Sequence, residues 1–150
     1  MTRCPECGAP TRPHSCQELF EIVLALDHSR LPPWGSLHGV TVSCFLLQHP
    51  SRLLGAAPTR PWTILHTYLD GGLTAVTRLT EHTRRANSHR DTRPSEAAFG
   101  APVTLIPPPT AFSVTIHDVA QDGTFPAEGF PERLTAWAKD CITGWSSLST

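Results

Sequence analysis

The sequence predicts a mainly α protein, a small helical bundle with an N-terminal Cys-x-x-Cys knuckle and a long Pro-rich irregular segment before the last helix. Three observations support this fold class. Apolar residues recur at helical spacing in four stretches of the chain. Capping residues and prolines mark the ends of those stretches. Two cysteines near the N-terminus, separated by two residues and followed by glycine, have the spacing of a metal-binding knuckle.

The first two helices have recognisable start and stop signals. Ser15 and Glu18 have the spacing of a capping box, so we expect a first helix over about 16–28. A second helix is expected over about 37–49, because Pro50 cannot continue it. This second helix is apolar on nearly every side, which predicts a central and buried position.

A third helix is predicted to have Pro61 in its first turn and to run through Val76. Proline suits the first turn because the amide that it lacks has no partner there. The pair Gly71-Gly72 falls inside this helix and is expected to weaken or kink it, since glycine disfavours the helical backbone.

The chain after this helix is predicted to be irregular and then helical again. Residues 86–111 are rich in Asn, Ser, Pro and Gly, without periodicity. Phe112, Val114 and Ile116 alternate with polar residues, which predicts a short extended piece. The last helix is expected over about 130–146, where one apolar stripe contains Phe130, Leu134, Trp137, Cys141 and Trp145.

Composition limits the function classes. The 150 residues are expected to form a single domain, 1–150, with 1–15 as the knuckle. A net charge of −1 gives no general reason to expect nucleic-acid or membrane binding, and no apolar run is long enough to cross a membrane. No signal peptide is visible, and the five cysteines do not resemble a secreted disulfide framework. We therefore expect a cytoplasmic protein with reduced cysteines.

Topology selects candidate partners for the knuckle. Two thiolates at Cys4 and Cys7 can hold one Zn²⁺ at about 2.3 Å each. Short connections make consecutive helices antiparallel, so Cys16, His49 and His66 are expected at the same end of the bundle. We predict a tetrahedral site of Cys4 and Cys7 with two or more of these three residues.

Other histidines and a glutamine complete the prediction. His28 and His38 belong to the opposite end of the bundle by the same reasoning. Gln48, or a histidine outside the site, is expected to orient a ligating imidazole. Each of these candidate ligands also has a purely structural interpretation: Cys16 as a small core residue, His49 as a helix-terminal residue bonded to a carbonyl, and His66 as a core histidine with its hydrogen bonds satisfied.

A series of short motifs follows one another along the chain: Cys4-x-x-Cys7-Gly8, Cys16, His38-Gly39-Val40-Thr41-Val42, Gln48-His49-Pro50, His66, Pro107-Pro108-Pro109, Thr115-x-x-Asp118-Val119 and Trp137-Ala138 through Trp145. Together they resemble an uncharacterised bacterial family, a domain of unknown function, over nearly the whole chain. The resemblance implies a small cytoplasmic metal-binding protein and no particular activity. One departure is Val42-Ser43-Cys44-Phe45, where relatives tend to carry Val-Asp-Ala-Tyr.

Two functions are compatible with such a site. The first is a structural zinc site that pins the N-terminal segment to the bundle, with a protein partner bound at another surface. The alternative is a metalloenzyme, in which three protein ligands leave an open coordination position between helices for water or substrate. A reversible dithiol is disfavoured because no thioredoxin-like pattern follows the two cysteines.

Overall fold

A computed structural model describes residues 2–88 and 108–146. Its five α-helices are α1 (Cys16–His28), α2 (His38–Gln48), α3 (Thr59–Ser88), α4 (Ile116–Val119) and α5 (Phe130–Ser146). A short 3₁₀ helix, Pro50–Leu53, follows α2 directly. The two described ranges contain two isolated β-bridges and no β-strand. The prediction of a mainly α bundle is confirmed.

Local signals place the helix ends where the sequence indicates. The Ser15 hydroxyl accepts the Glu18 amide at 3.1 Å, and the Glu18 carboxylate accepts the Ser15 amide at 3.0 Å. This capping box begins α1 at the predicted residue. Helix α2 is shorter than predicted by one residue at each end, and α5 has its predicted bounds.

Helix α2 is the central helix, as its apolar surface predicts. It packs against α1, α3 and α5. The Phe45 ring is 1% exposed and stacks on Phe20 of α1, with 3.9 Å between ring centroids. On the other side of α2, the Trp145 indole of α5 donates to the Leu47 carbonyl at 2.8 Å. The end of α2 is therefore held firmly between two neighbouring helices.

Helix α3 differs in length from the prediction. It begins at Thr59 and continues to Ser88, so residues 86–88 are helical and not irregular. Gly72 interrupts it with φ 72° and ψ −168°, which confirms the kink expected at the glycine pair. The rest of the predicted irregular segment lies mostly outside the described residues, and 108–111 have no regular structure.

The expected extended piece at 112–116 is wrong. The backbone of this stretch pairs with other groups and not with a strand: the Phe112 amide donates to the Cys7 carbonyl, and the Val114 amide donates to Asp140 at 2.8 Å. Ile116 then begins α4, whose own capping box is formed by Thr115 and Asp118. The alternating apolar residues face the core from a loop and a short helix.

The core forms around the apolar stripe of α5. All five predicted residues of this stripe are buried, each 3% exposed or less: Phe130, Leu134, Trp137, Cys141 and Trp145. No helix in the described ranges combines the length and the apolar character needed to cross a bilayer.

Candidate metal centre

The N-terminal segment forms the knuckle that its sequence predicts. The Cys4 amide donates to the Ala9 carbonyl at 2.7 Å, and the Gly8 amide donates to the Cys4 carbonyl at 2.9 Å. The chain turns back through Gly8, whose φ of +81° suits glycine far better than any residue with a side chain. This tight turn brings the two cysteine side chains, Cys4 and Cys7, to the same place.

Two further contacts hold the knuckle against the bundle. Both oxygens of Glu6 accept hydrogen bonds from Ser51, one from its amide and one from its hydroxyl, each at 2.9 Å. The Cys7 carbonyl accepts the Phe112 amide at 3.0 Å. The Glu6–Ser51 contact was not predictable from the sequence, because the two residues are 45 positions apart and no local pattern links them.

Four metal-ligating side chains meet at the knuckle. The sulfurs of Cys4, Cys7 and Cys16 and a ring nitrogen of His49 all lie within 4.8 Å of one another. In a tetrahedral zinc site with bonds of about 2.3 Å, the ligand atoms are separated by roughly 3.7 Å. The Cys7 and Cys16 sulfurs already lie 3.6 Å apart. The group therefore has the size and the donor types of a Cys₃His metal site.

The His49 ring is oriented as a ligand. Its Nδ1 lies 2.9 Å from the Phe45 carbonyl, which can only accept, so Nδ1 carries the proton. In the neutral imidazole this tautomer leaves Nε2 with its lone pair available, and Nε2 is buried without a hydrogen-bond partner in the described residues. A backbone carbonyl that fixes the imidazole in this way is the usual support of a metal-bound histidine.

The buried thiols are electrostatically coupled. The Cys16 thiol donates toward the Cys7 sulfur and lowers the pKa of Cys7 to about 4; burial opposes this shift and His49 assists it. The same contact raises the pKa of Cys16. Of the two coupled sulfurs, Cys7 is therefore favoured as the thiolate, which is the form of cysteine that binds metal ions.

The structure brings together four of the five predicted site residues. Cys16 begins α1 and His49 follows α2, so the antiparallel arrangement places both beside the knuckle. His66 does not join the cluster, and its half-buried ring packs on Trp62 with 4.6 Å between centroids. The reason is position along the helix: α3 begins at Thr59, so His66 lies two turns into it, about 10 Å from its start.

Gln48 orients no imidazole, contrary to the prediction. Its Oε1 accepts the Trp137 indole N–H at 2.9 Å, and its Nε2 donates to the Val114 carbonyl at 2.7 Å. Gln48 is fully buried and links α2 to α5 and to the loop before α4. Its role is to fix the end of α2, from which the chain enters His49.

A buried carboxyl group, Asp27, was not among the residues predicted from the sequence. It is 5% exposed and lies 2.8 Å from the His38 ring at the opposite end of the bundle. A signal was present: Asp27 follows Val23 by four residues, on the stripe that α1 buries. An acidic residue in such a position needs a polar partner, and His38 was already expected at that end.

The chain belongs to DUF5946, a family of unknown function, whose family model matches residues 2–146. This confirms the resemblance to an uncharacterised family over nearly the whole chain. Searches of curated proteins and of solved structures gave no match. The arrangement of the site residues is therefore the basis for a functional conclusion.

Proposed function

We propose that Cys4, Cys7, Cys16 and His49 bind one structural zinc ion, which fastens the N-terminal segment to the end of the helical bundle. The observation that carries this proposal is the convergence of four donor atoms within 4.8 Å. Three sulfurs and one imidazole nitrogen are a common ligand set of structural zinc sites. Zinc also suits the tetrahedral arrangement better than Mg²⁺ or Ca²⁺, which prefer oxygen ligands.

A closed site favours the structural role over the metalloenzyme. The enzyme alternative requires a free coordination position for water or substrate, with three protein ligands. Here Cys16 supplies a fourth donor beside Cys7, and His49 presents its free nitrogen to the same point. Four protein ligands complete the tetrahedron, so the bound metal has no position left for a reacting water.

The metal would supply stability that the knuckle has few other ways to obtain. Within residues 2–15, every residue except Cys7 and Ala9 is at least partly exposed. Binding of structural zinc contributes on the order of 10–16 kcal/mol at neutral pH, comparable with the whole stability of a domain. We therefore expect metal binding and folding of this end of the molecule to be coupled.

Reduced thiols are needed for this role. All five cysteines of the chain are free, including the adjacent pair Cys7 and Cys16. The proposal accordingly places the protein in a reducing compartment, the cytoplasm, where metal binding competes well with disulfide formation. A structural metal leaves the biological activity to another surface, and binding of a protein partner there remains our prediction.

Metal content in matched variants tests the ligand set. Purified wild-type protein is expected to hold close to one equivalent of zinc, and His49→Gln is expected to lose most of it. His66→Gln is the matched control, because this histidine lies outside the cluster. Equal zinc retention in both variants would show that His49 is not a zinc ligand. A wild-type protein without zinc, after purification free of chelators, would overturn the proposal.

A second pair of variants tests the cysteines. Cys16→Ser is expected to release zinc, whereas Cys44→Ala is expected to retain it, because Cys44 is a buried cysteine outside the cluster. Removal of zinc with a chelator then distinguishes a structural zinc site from a metalloenzyme. Loss of helical circular dichroism together with zinc supports a structural site, whereas an intact fold without zinc supports the metalloenzyme.

A further inference from the structure

A second pair of polar groups lies at the other end of α2. Asp27 is in the last turn of α1, and its Oδ2 lies 2.8 Å from Nδ1 of His38, the first residue of α2. His38 precedes His49 by eleven residues, which corresponds to about 16 Å along a helix. One ion cannot bind both histidines, so the Asp27–His38 pair is separate from the metal centre.

Asp27 determines which nitrogen of His38 is available. A carboxylate oxygen accepts the Nδ1 proton, which leaves Nε2 for another partner. Within the described ranges Nε2 makes no hydrogen bond, and the His38 side chain is 48% exposed. The Asp27 side chain is 1% exposed, and its second oxygen has no hydrogen-bond partner in those ranges. The hydrogen bond of the Asp27 carboxyl group to His38 therefore fixes the orientation of the imidazole ring.

The imidazole borders a cleft of about 280 Å³ between α2 and the start of α3. Its walls are largely aliphatic, from Val42 and Leu46 on one helix and Ile64 on the other. Arg60 also lines the cleft and adds a positive charge. The cleft therefore combines an apolar surface with two groups, one imidazole and one guanidinium, that can hydrogen-bond to an anion.

We propose that this cleft binds a small carboxylic acid with a short aliphatic chain. A carboxyl group is complementary to His38 in either protonation state, because one proton shared between Nε2 and a carboxyl oxygen forms the hydrogen bond in both cases. Arg60 favours the anionic group by charge-assisted hydrogen bonding. The aliphatic chain of the ligand then lies against Val42, Leu46 and Ile64.

Histidine NMR of the full, zinc-loaded chain tests this assignment, with butyrate as the probe. The His38 ring signals, identified by their loss in His38→Gln, are expected to shift saturably as butyrate is added. Arg60→Gln is expected to weaken butyrate binding about tenfold. Arg78→Gln, an exposed arginine of α3 outside the cleft, is the matched control and is expected to leave the affinity unchanged.

Two further measurements complete the test. In Asp27→Asn, the ring nitrogen signals of His38 are expected to show loss of the fixed Nδ1–H tautomer. Inorganic phosphate is expected to bind more weakly than butyrate, since it lacks the aliphatic chain. The proposal is overturned if butyrate produces no saturable shift at His38, if phosphate binds as tightly, or if Arg60→Gln and Arg78→Gln have equal affinities.

Discussion

Replacement of Gln48 by leucine tests how the end of α2 is held beside the metal centre. Gln48 is 0% exposed and satisfies two polar groups, the buried Trp137 indole N–H at 2.9 Å and the partly buried Val114 carbonyl at 2.7 Å. Leucine has a similar volume and can make neither hydrogen bond. Both partners would lose their hydrogen bond, at a cost of about 1–3 kcal/mol for the buried indole and about 1 kcal/mol or less for the partly buried carbonyl.

The expected loss is therefore about 1–4 kcal/mol of the free energy of unfolding, a substantial part of the total for a small domain. Urea denaturation of the zinc-loaded proteins measures this loss. Gln121→Leu is the control, because Gln121 is exposed and its side chain makes no hydrogen bond in the described residues; its effect should stay within about 0.5 kcal/mol. If Gln48→Leu costs no more than this control, the two hydrogen bonds do not fix α2 as argued.

Two other predictions concern the knuckle and the far end of the bundle. Gly8→Ala should destabilise the fold more than Gly55→Ala: both glycines have positive φ, but an added Cβ meets the Ala111 backbone at 3.3 Å only at Gly8. Equal losses in urea denaturation would show that this contact is unimportant. Burial raises the pKa of Asp27 above its ordinary value of 3.8, so the Asp27 carboxyl group binds a proton more tightly in the folded state than in the unfolded state. Stability from this group is present below pH 3.8 and is lost as pH rises through the folded pKa. This decrease in the free energy of unfolding with rising pH should be smaller in Asp27→Asn and unchanged in the exposed control Asp70→Asn. If the pH profiles of stability of the wild type and both variants superimpose, Asp27 does not contribute in this way.

Helices with both a start signal and an apolar stripe were predictable from the sequence. The capping box of Ser15 begins α1, and Pro50 accounts for the end of α2. Helix α4 has the same type of cap at Thr115, but its four residues are too few to show a helical period. The short alternating stretch before it was therefore misread as extended, although its hydrogen bonds go to the knuckle and to Asp140.

The candidate site was predictable as far as helix ends determine position. Cys16 and His49 lie at ends that antiparallel packing brings together, so their place beside the knuckle followed from the chain order. His66 lies two turns inside α3 and not at its end, so antiparallel packing of the helix ends does not bring it to the knuckle. The contacts of Glu6 with Ser51 and of Gln48 with Trp137 join distant segments, and only the folded structure reveals them.

X-ray absorption at the zinc edge of the purified protein tests the metal centre most directly. Coordination by Cys4, Cys7, Cys16 and His49 predicts three sulfur ligands at about 2.3 Å and one nitrogen at about 2.0–2.1 Å. Two sulfurs with two nitrogen or oxygen ligands in the wild type would contradict the closed Cys₃His site and indicate an open position.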